Sequence, residues 1–261
     1  GFRIANQNDD ATSIGDEPLQ MFQKYQSINV TVGEDRAMAI PEIIYHFPEN
    51  EVIVLDDAFQ HRYVKPNLNI LLTDFNFPFF NDFLMPTGRL REARKGAKRA
   101  DVIVVTKCPN EMSSAVRNKY LKRIQKYADN SLNIFFSKVN YSVPIGISGQ
   151  NEISQNVILF TGIANNEPLK TYLSEKYNLL YTISFADHHV YVKEDYDKIE
   201  SSFKQLSKEN NCSVITTEKD IVKLKGTSLE SLFQNLPLFY IPIEVSFIND
   251  GAIFDRIVLN S

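Results

Sequence analysis

Two adjacent carboxylates, Asp56 and Asp57, follow the apolar run Val52-Ile53-Val54-Leu55 and lead into Ala58-Phe59-Gln60-His61-Arg62. A buried strand that ends in acids is how a parallel sheet delivers carboxylates to its exposed carboxyl edge. Mg²⁺ takes hard carboxylate oxygens and keeps several of its waters, so one or two acids suffice to hold it beside a nucleotide's phosphates. The pattern equally describes a strand followed by an ordinary polar turn, and taken alone it leaves both readings open. Asp187-His188-His189 brings imidazoles, which titrate near neutral pH and so suit proton transfer. Asp16 stands in Gly15-Asp16-Glu17-Pro18, where acids in a first helical turn and a nearby Pro fit a helix N-terminus, so capping by itself also accounts for it. Arg94, Lys95, Lys98 and Arg99 concentrate positive charge just after Pro86-Thr87-Gly88-Arg89-Leu90-Arg91-Glu92. Such a cluster serves as a solvated helix face, or faces an anionic substrate or an anionic membrane surface.

The elements that must position these groups follow from periodicity. The opening dozen residues read as polar and turn-like, with a helix entered at Ser13 to Phe22. A short strand at 28–32 and a helix over 34–47, despite Pro41, lead into the strand expected at 52–55. Leu68 to Asp74 is another apolar strand ending in an acid, and successive strands of this kind favour a parallel sheet. Five phenylalanines between Phe75 and Phe83 form a loop that covers a core or walls a lipid-facing groove. A strand over 100–106, a basic helix over 113–128 and a strand over 133–136 follow. The Pro-, Gly-, Ser- and Asn-containing stretch 141–156 reads as a connection between domains. A second α/β unit starts with the strand and Gly turn at Val157 to Asn165 and a helix through Tyr177. It continues with a strand over 181–185, a long amphipathic helix to about Asn210, and a strand at Ser213 to Thr217 that opens a helix. The tail closes as a strand at Leu238 to Ile243 and a short helix at Phe254 to Leu259.

Composition narrows the function classes. The chain has 261 residues, 43% of them hydrophobic, enough for one large or two smaller cores. A net charge of −4 gives no global basic field, so no nucleic-acid partner is expected, and no protein partner is predicted either. Cys108 and Cys212 lie far apart, match no metal spacing and read as structural thiols. No apolar run approaches the roughly 18 residues of a membrane span. The chain begins Gly-Phe-Arg rather than with Met, and an N-terminal portion is expected to be missing.

Taken together, the motifs resemble the tetraacyldisaccharide 4′-kinases, which phosphorylate the lipid A precursor at the inner membrane of Gram-negative bacteria. The matching pieces are Gly15-Asp16-Glu17-Pro18, Val32-Gly33-Glu34-Asp35-Arg36, Asp56 to Arg62, Pro86 to Glu92, Thr161-Gly162-Ile163-Ala164-Asn165, Asp187-His188-His189 and Thr216-Thr217-Glu218-Lys219-Asp220. They occur in the family's order across more than two-thirds of the chain. Ala58 stands where the family usually has Gly, and Thr87 where it usually has a smaller residue; neither change removes a chemical group. A larger departure is that the family's phosphate loop, G-x-x-x-x-G-K-[ST], occurs nowhere in the 261 residues.

The resemblance implies an α/β fold: a P-loop-NTPase-like parallel sheet with helices, its N-terminal strand and P-loop absent, plus a second smaller α/β domain. The expected boundaries are a kinase core at 1–145 and a second domain at 146–261 facing it across a cleft. It implies ATP and Mg²⁺ as cofactors, with Asp57 holding the metal and Asp56, Gln60 and His61 on the cofactor side. Arg91, Glu92 and Arg62 would engage the acceptor, Glu92 binding a sugar hydroxyl or supporting Arg91. Asp16 and His188 resemble the family's acid and histidine pair, the carboxylate orienting an imidazole that accepts the hydroxyl proton; His189 is the fallback. Thr217 to Asp220 would contact nucleotide, fasten the domains together or cap a helix. The expected partners are a lipid A precursor glycolipid and, peripherally, the cytoplasmic face of the inner membrane. These residues alone are expected to be inactive, the missing segment carrying the phosphate loop and a membrane-associating helix. The alternatives are a non-catalytic glycolipid-binding fragment and, more weakly, a metal-dependent hydrolase, since adjacent histidines rarely chelate one ion together.

Overall fold

The structure is a computed structural model that describes residues 1–129, 131–149 and 152–261. Gln150 and Asn151, within the stretch read as a connection, lie outside the described residues. The chain forms two compact units and passes between them more than once: unit 1 is Gly1–Glu34 with Tyr141–Ile243, and unit 2 is Asp35–Asn140 with Glu244–Ser261. In chain order, unit 1 starts with β1 (Phe2–Ile4), α1 (Ala11–Ile14), α2 (Asp16–Lys24) and β2 (Thr31–Gly33). Unit 2 holds α3 (Arg36–His46), β3 (Ile70–Asp74), β4 (Val102–Thr106), α4 (Ser114–Ile124) and β5 (Asn133–Tyr141), whose last residue opens the return to unit 1. There follow β6 (Ile145–Gly146), β7 (Asn156–Thr161), α5 (Glu167–Lys176), β8 (Asn178–Ser184), α6 (Lys193–Leu206), β9 (Cys212–Thr217), α7 (Glu218–Leu224), α8 (Glu230–Phe233) and β10 (Leu238–Ile241). β11 (Ile243–Phe247) and α9 (Gly251–Leu259) belong almost wholly to unit 2.

These units differ from the contiguous halves 1–145 and 146–261, and the apolar contacts say why. Ile14 and Leu19 of the first helices are buried in the same cluster as Phe160, Val214 and Leu238, so the N-terminal segment folds onto the later sheet. Phe254 and Ile257 of α9 pack against Val102, Val104 and Phe135, which returns the C-terminal tail to the earlier one. The opening residues are also more ordered than their polarity suggests. β1 pairs antiparallel with β2, and Asp10 caps α1 in a capping box with Ser13.

Unit 1 is built on a five-stranded sheet in the order β6-β10-β9-β7-β8, in which β10, β9, β7 and β8 run parallel and β6 antiparallel. Val157 and Leu159 face one apolar cluster while Phe160 faces the other, the period-2 alternation of a strand covered on both sides. From β7 the chain moves outward to β8 and then crosses to β9 on the other side, which makes the carboxyl edge between β7 and β9 a topological switch point. Unit 2 carries a four-stranded sheet in the order β11-β5-β4-β3, with β3, β4 and β5 parallel. Val102 to Val105 is buried throughout, as a central strand between two apolar layers must be.

The strand expected at 52–55 does not form. β3 ends its sheet, Val52 to Leu55 joins no ladder, and Val54 is 86% exposed. A four-residue apolar run becomes a strand only when an edge pairs with its backbone, and no edge of the described residues does. The Phe75–Phe83 loop does cover a core: Phe80 is buried, with Phe75 and Phe79 packed against its cluster, while Phe77 and Phe83 stay exposed. No helix among the described residues is long and apolar enough to cross a membrane.

Candidate functional site

Parallel strands deliver their carboxyl ends to one edge, and in unit 1 that edge collects Gly162 after β7, Asp187 and His188 after β8, and Glu218 to Lys223 after β9. Helix α2 brings Asp16 at its first residue, after Gly15 at φ 93°, a backbone setting that disfavours a Cβ. Asp16 Oδ1 accepts the Glu17 amide at 3.0 Å, and Oδ2 lies 3.0 Å from His188 Nδ1. Both residues belong to unit 1, so their meeting across 172 positions takes place within one unit and not across a cleft between the expected domains. An ionised carboxylate only accepts, so it selects the tautomer with the proton on Nδ1 and leaves Nε2 as a base. His188 sits at φ 56° with its ring 59% exposed, and Asp187 Oδ2 is 3.6 Å from Nε2. His189 is spoken for: Nε2 lies 2.8 Å from Asp195 Oδ2, and the ring stacks on Phe185.

Two ammonium groups attend Asp16, with Lys219 Nζ at 3.5 Å and Lys223 Nζ at 3.7 Å from Oδ2. Burial pushes the Asp16 carboxyl up, but Lys219, the hydrogen bond and charge of His188, and Lys223 together outweigh it and hold the group below the usual carboxylate range. Lys219 also reaches Glu17 at 3.2 Å and Asp187 at 3.7 Å, and Lys24 pairs with Glu218 at 2.9 Å, so α2 and α7 are stitched together beside the pair. Thr217 caps α7 by accepting the Asp220 amide. The fully buried Asp220 accepts the Gly162 amide at 3.0 Å and the Thr217 hydroxyl at 2.7 Å. Thr217 thus caps the helix, while Glu218, Lys219 and Asp220 in its first turn fasten parts of unit 1. Lys223 went unnoticed in the sequence; its spacing of four from Lys219, on one helix face, was the available signal.

Unit 2 contains a cleft of about 240 Å³ lined by Asp57, Gln60, Arg89, Arg91, Glu92 and Arg94, among others. Asp57 follows the apolar run Val52 to Leu55 and sits at φ 45°, a left-handed setting that Asp tolerates better than most residues. Arg91 Nη1 donates to Asp57 Oδ2 at 2.8 Å. The expected support of Arg91 by Glu92 is not what forms. Glu92 accepts both arms of Arg99, at 2.7 and 2.9 Å, and Arg62 at 2.9 Å, because a guanidinium fork seven residues on matches a carboxylate in two bonds. The bonds from Arg99, opposed by burial and joined by Arg62, hold Glu92 below its usual range. Asp56 and His61 do not line the cleft: the Asp56 carbonyl accepts Arg36 at 3.3 Å, and His61 is half-buried. Gly88 is required where it stands, since a Cβ would collide with the Phe83 backbone and the Asp82 carboxylate.

Among the described residues no three or more His, Cys, Asp or Glu side chains gather to hold a metal. A zinc-type hydrolase centre needs such a set. Mg²⁺ shared with phosphate oxygens needs only one or two carboxylates and waters, and Asp57, with its carboxylate 67% exposed, fits that demand.

A model of the family Tetraacyldisaccharide-1-P 4′-kinase, LpxK, matches residues 1–261. The tetraacyldisaccharide 4′-kinase of Flavobacterium johnsoniae is 38% identical over 264 residues, covering 99% of this chain and 73% of the relative. That of Bacteroides thetaiotaomicron is 36% identical over 266 residues, covering 96% of this chain and 69% of the relative. Among solved structures, LpxK from Aquifex aeolicus in complex with ATP shares the fold with a TM-score of 0.68 at 22% identity, over 100% of this chain and 74% of that one.

Proposed function

The chain belongs to the tetraacyldisaccharide-1-P 4′-kinase family, and on that premise we propose that it serves transfer of the ATP γ-phosphate to the 4′-hydroxyl of a tetraacyldisaccharide 1-phosphate. The observation that carries the chemistry is the 3.0 Å contact between Asp16 and His188 at the carboxyl edge of a parallel sheet. His188 Nε2 takes the hydroxyl proton as the oxygen attacks the γ-phosphorus and the bond to the departing ADP breaks. Asp16 holds the Nδ1 proton throughout and, with Asp187, stabilises the imidazolium that forms. His188 rather than His189 is assigned because His189 is already bonded to Asp195.

On the nucleotide side, Asp57 would hold Mg²⁺, with Gln60 beside it and Asp56 and His61 in the same turn. Bound Mg²⁺ supplies neutralisation of phosphate charge. Arg91 is poised between Asp57 and an incoming phosphate, while Arg62 and Glu92 shape the acceptor side as a clasp with Arg99. No residue is assigned to a phosphate loop, since these 261 residues contain none of the G-x-x-x-x-G-K-[ST] form.

The proposal includes peripheral contact with the cytoplasmic face of the inner membrane. Exposed Phe77, Phe83, Leu84 and Met85 occur in one segment with the exposed cations Lys95 and Lys98, a composition suited to an anionic bilayer surface. The decisive experiment follows label from γ-³²P-ATP into a tetraacyldisaccharide 1-phosphate, using the protein as its gene encodes it. Label at the 4′ position is expected with Mg²⁺ and not with EDTA; its absence under both conditions refutes the assignment.

A further inference from the structure

At the switch point between β7 and β9, where open α/β sheets bind their ligands, this molecule places a buried charge network. Lys223 has a side chain only 5% exposed, and Asp220 beside it has none exposed. The Lys223 ammonium has three donors, and three oxygens surround it: the Gly162 carbonyl at 3.3 Å, Asp220 Oδ1 at 3.4 Å and Asp16 Oδ2 at 3.7 Å. We propose that Lys223 is a positioning residue for the Asp16–His188 pair, its buried ammonium tying the Asp16 carboxylate to the rigid turn after β7 so that the same oxygen faces His188. The inference rests on the assignment of His188 as base.

Three observations support it. First, a buried ion pair is a poor device for stability alone, because apolar side chains of equal volume hold a core as well. Second, Asp220 is itself fixed by the Gly162 amide and the Thr217 hydroxyl, so Lys223 is anchored at its far side rather than swinging freely. Gly162 permits that approach, since a Cβ there would lie 3.0 Å from Asp220 Oδ1. Third, Lys223 differs from Lys219, which also reaches for Glu17 and Asp187. Among the described residues Lys219 and Lys223 from α7 and His188 from the turn after β8 pair with Asp16 directly, and Glu17 from α2, Asp187 from that turn and Asp220 from α7 pair in turn with those lysines. Removing Lys223 deletes the most buried cation of that set.

The test uses the protein as its gene encodes it, with Lys223→Met, Lys223→Arg and, as a neighbouring exposed control, Lys225→Met. Two quantities are read: kcat and KM for both substrates, and the titration midpoint of the Asp16 carboxyl by ¹³C NMR. Lys223→Met is expected to raise the Asp16 midpoint and to lower kcat at least tenfold, with each KM within about threefold. Lys223→Arg should recover most of the loss, and Lys225→Met should match the parent. An Asp16 midpoint unmoved in Lys223→Met, or equal losses in the Met and Arg variants with thermal melting unchanged, overturns the proposal. If Lys223→Met does not fold, an Asp16 midpoint in Lys223→Arg or in the unmodified protein at the ordinary aspartate value overturns it equally. Full kcat in His188→Ala sinks the base assignment itself, an outcome separate from the Asp16 midpoint, which reports the Lys223 contact directly.

Discussion

Replacing Asp16 by Asn keeps the shape of the side chain and removes its charge just when His188 takes up a proton. With Oδ2 at 3.0 Å from Nδ1, the attraction between carboxylate and imidazolium spans ~1.4 kcal/mol in water to ~5.5 kcal/mol at an effective dielectric of 20. The half-exposed ring and the nearly buried carboxylate place the effect between, at about 2–3 kcal/mol, or roughly 30- to 150-fold in kcat. His188→Ala removes the base altogether, and a loss of about 10²- to 10³-fold is expected, the lower part of the range for general-base catalysis because water reaches the exposed ring. Since Asp16 acts through His188, the double variant should be no slower than His188→Ala alone. The assay is initial-rate transfer of label from γ-³²P-ATP to tetraacyldisaccharide 1-phosphate at saturating substrates, with thermal melting as the control for folding. An Asp16→Asn variant within threefold of the parent, or losses that multiply in the double variant, would refute the pair.

Asp57→Ala should raise the Mg²⁺ concentration for half-maximal rate by about tenfold or more while leaving the melting temperature nearly unchanged, because the exposed Asp57–Arg91 pair contributes only ~0–1 kcal/mol; an unchanged Mg²⁺ dependence removes Asp57 from the metal site. Glu92→Gln should destabilise the fold by about 1–3 kcal/mol, since Arg99 and Arg62 lose a charged acceptor, as measured by urea denaturation. The Glu92 carboxyl is depressed in the fold, so its contribution is present above the unfolded pKa of about 4.3 and is lost as pH falls through the lower folded value. The parent's advantage over Glu92→Gln should therefore shrink at acid pH, and a difference that grew there would reverse the assignment.

Much of the local structure is legible in the sequence. Val102 to Val105 reads as a strand covered on both faces, and it is buried throughout. The helix at 34–47, the strands at 68–74 and 157–161 and the helix start after Thr217 also form, with ends shifted by a few residues. Asp16, Asp57 and His188 stood out because chemistry-bearing residues at strand ends and helix starts leave a local mark. What needed the tertiary structure was everything that depends on a distant partner. Val52 to Leu55 has strand composition, yet a strand exists only where another backbone accepts its hydrogen bonds, and β3 is left without that neighbour. The units are discontinuous because burial of Leu19 and Phe254 is settled by which apolar surface each helix reaches, not by nearness in the chain. Likewise, nothing in the order of residues tells that Glu92 closes on Arg99 and Arg62 while Arg91 turns to Asp57, or that Lys223 meets Asp16 across 207 positions. Periodicity and composition are properties of a segment and can be read along the chain; an ion pair depends on two segments arriving at the same place, which only the packing of the whole unit decides.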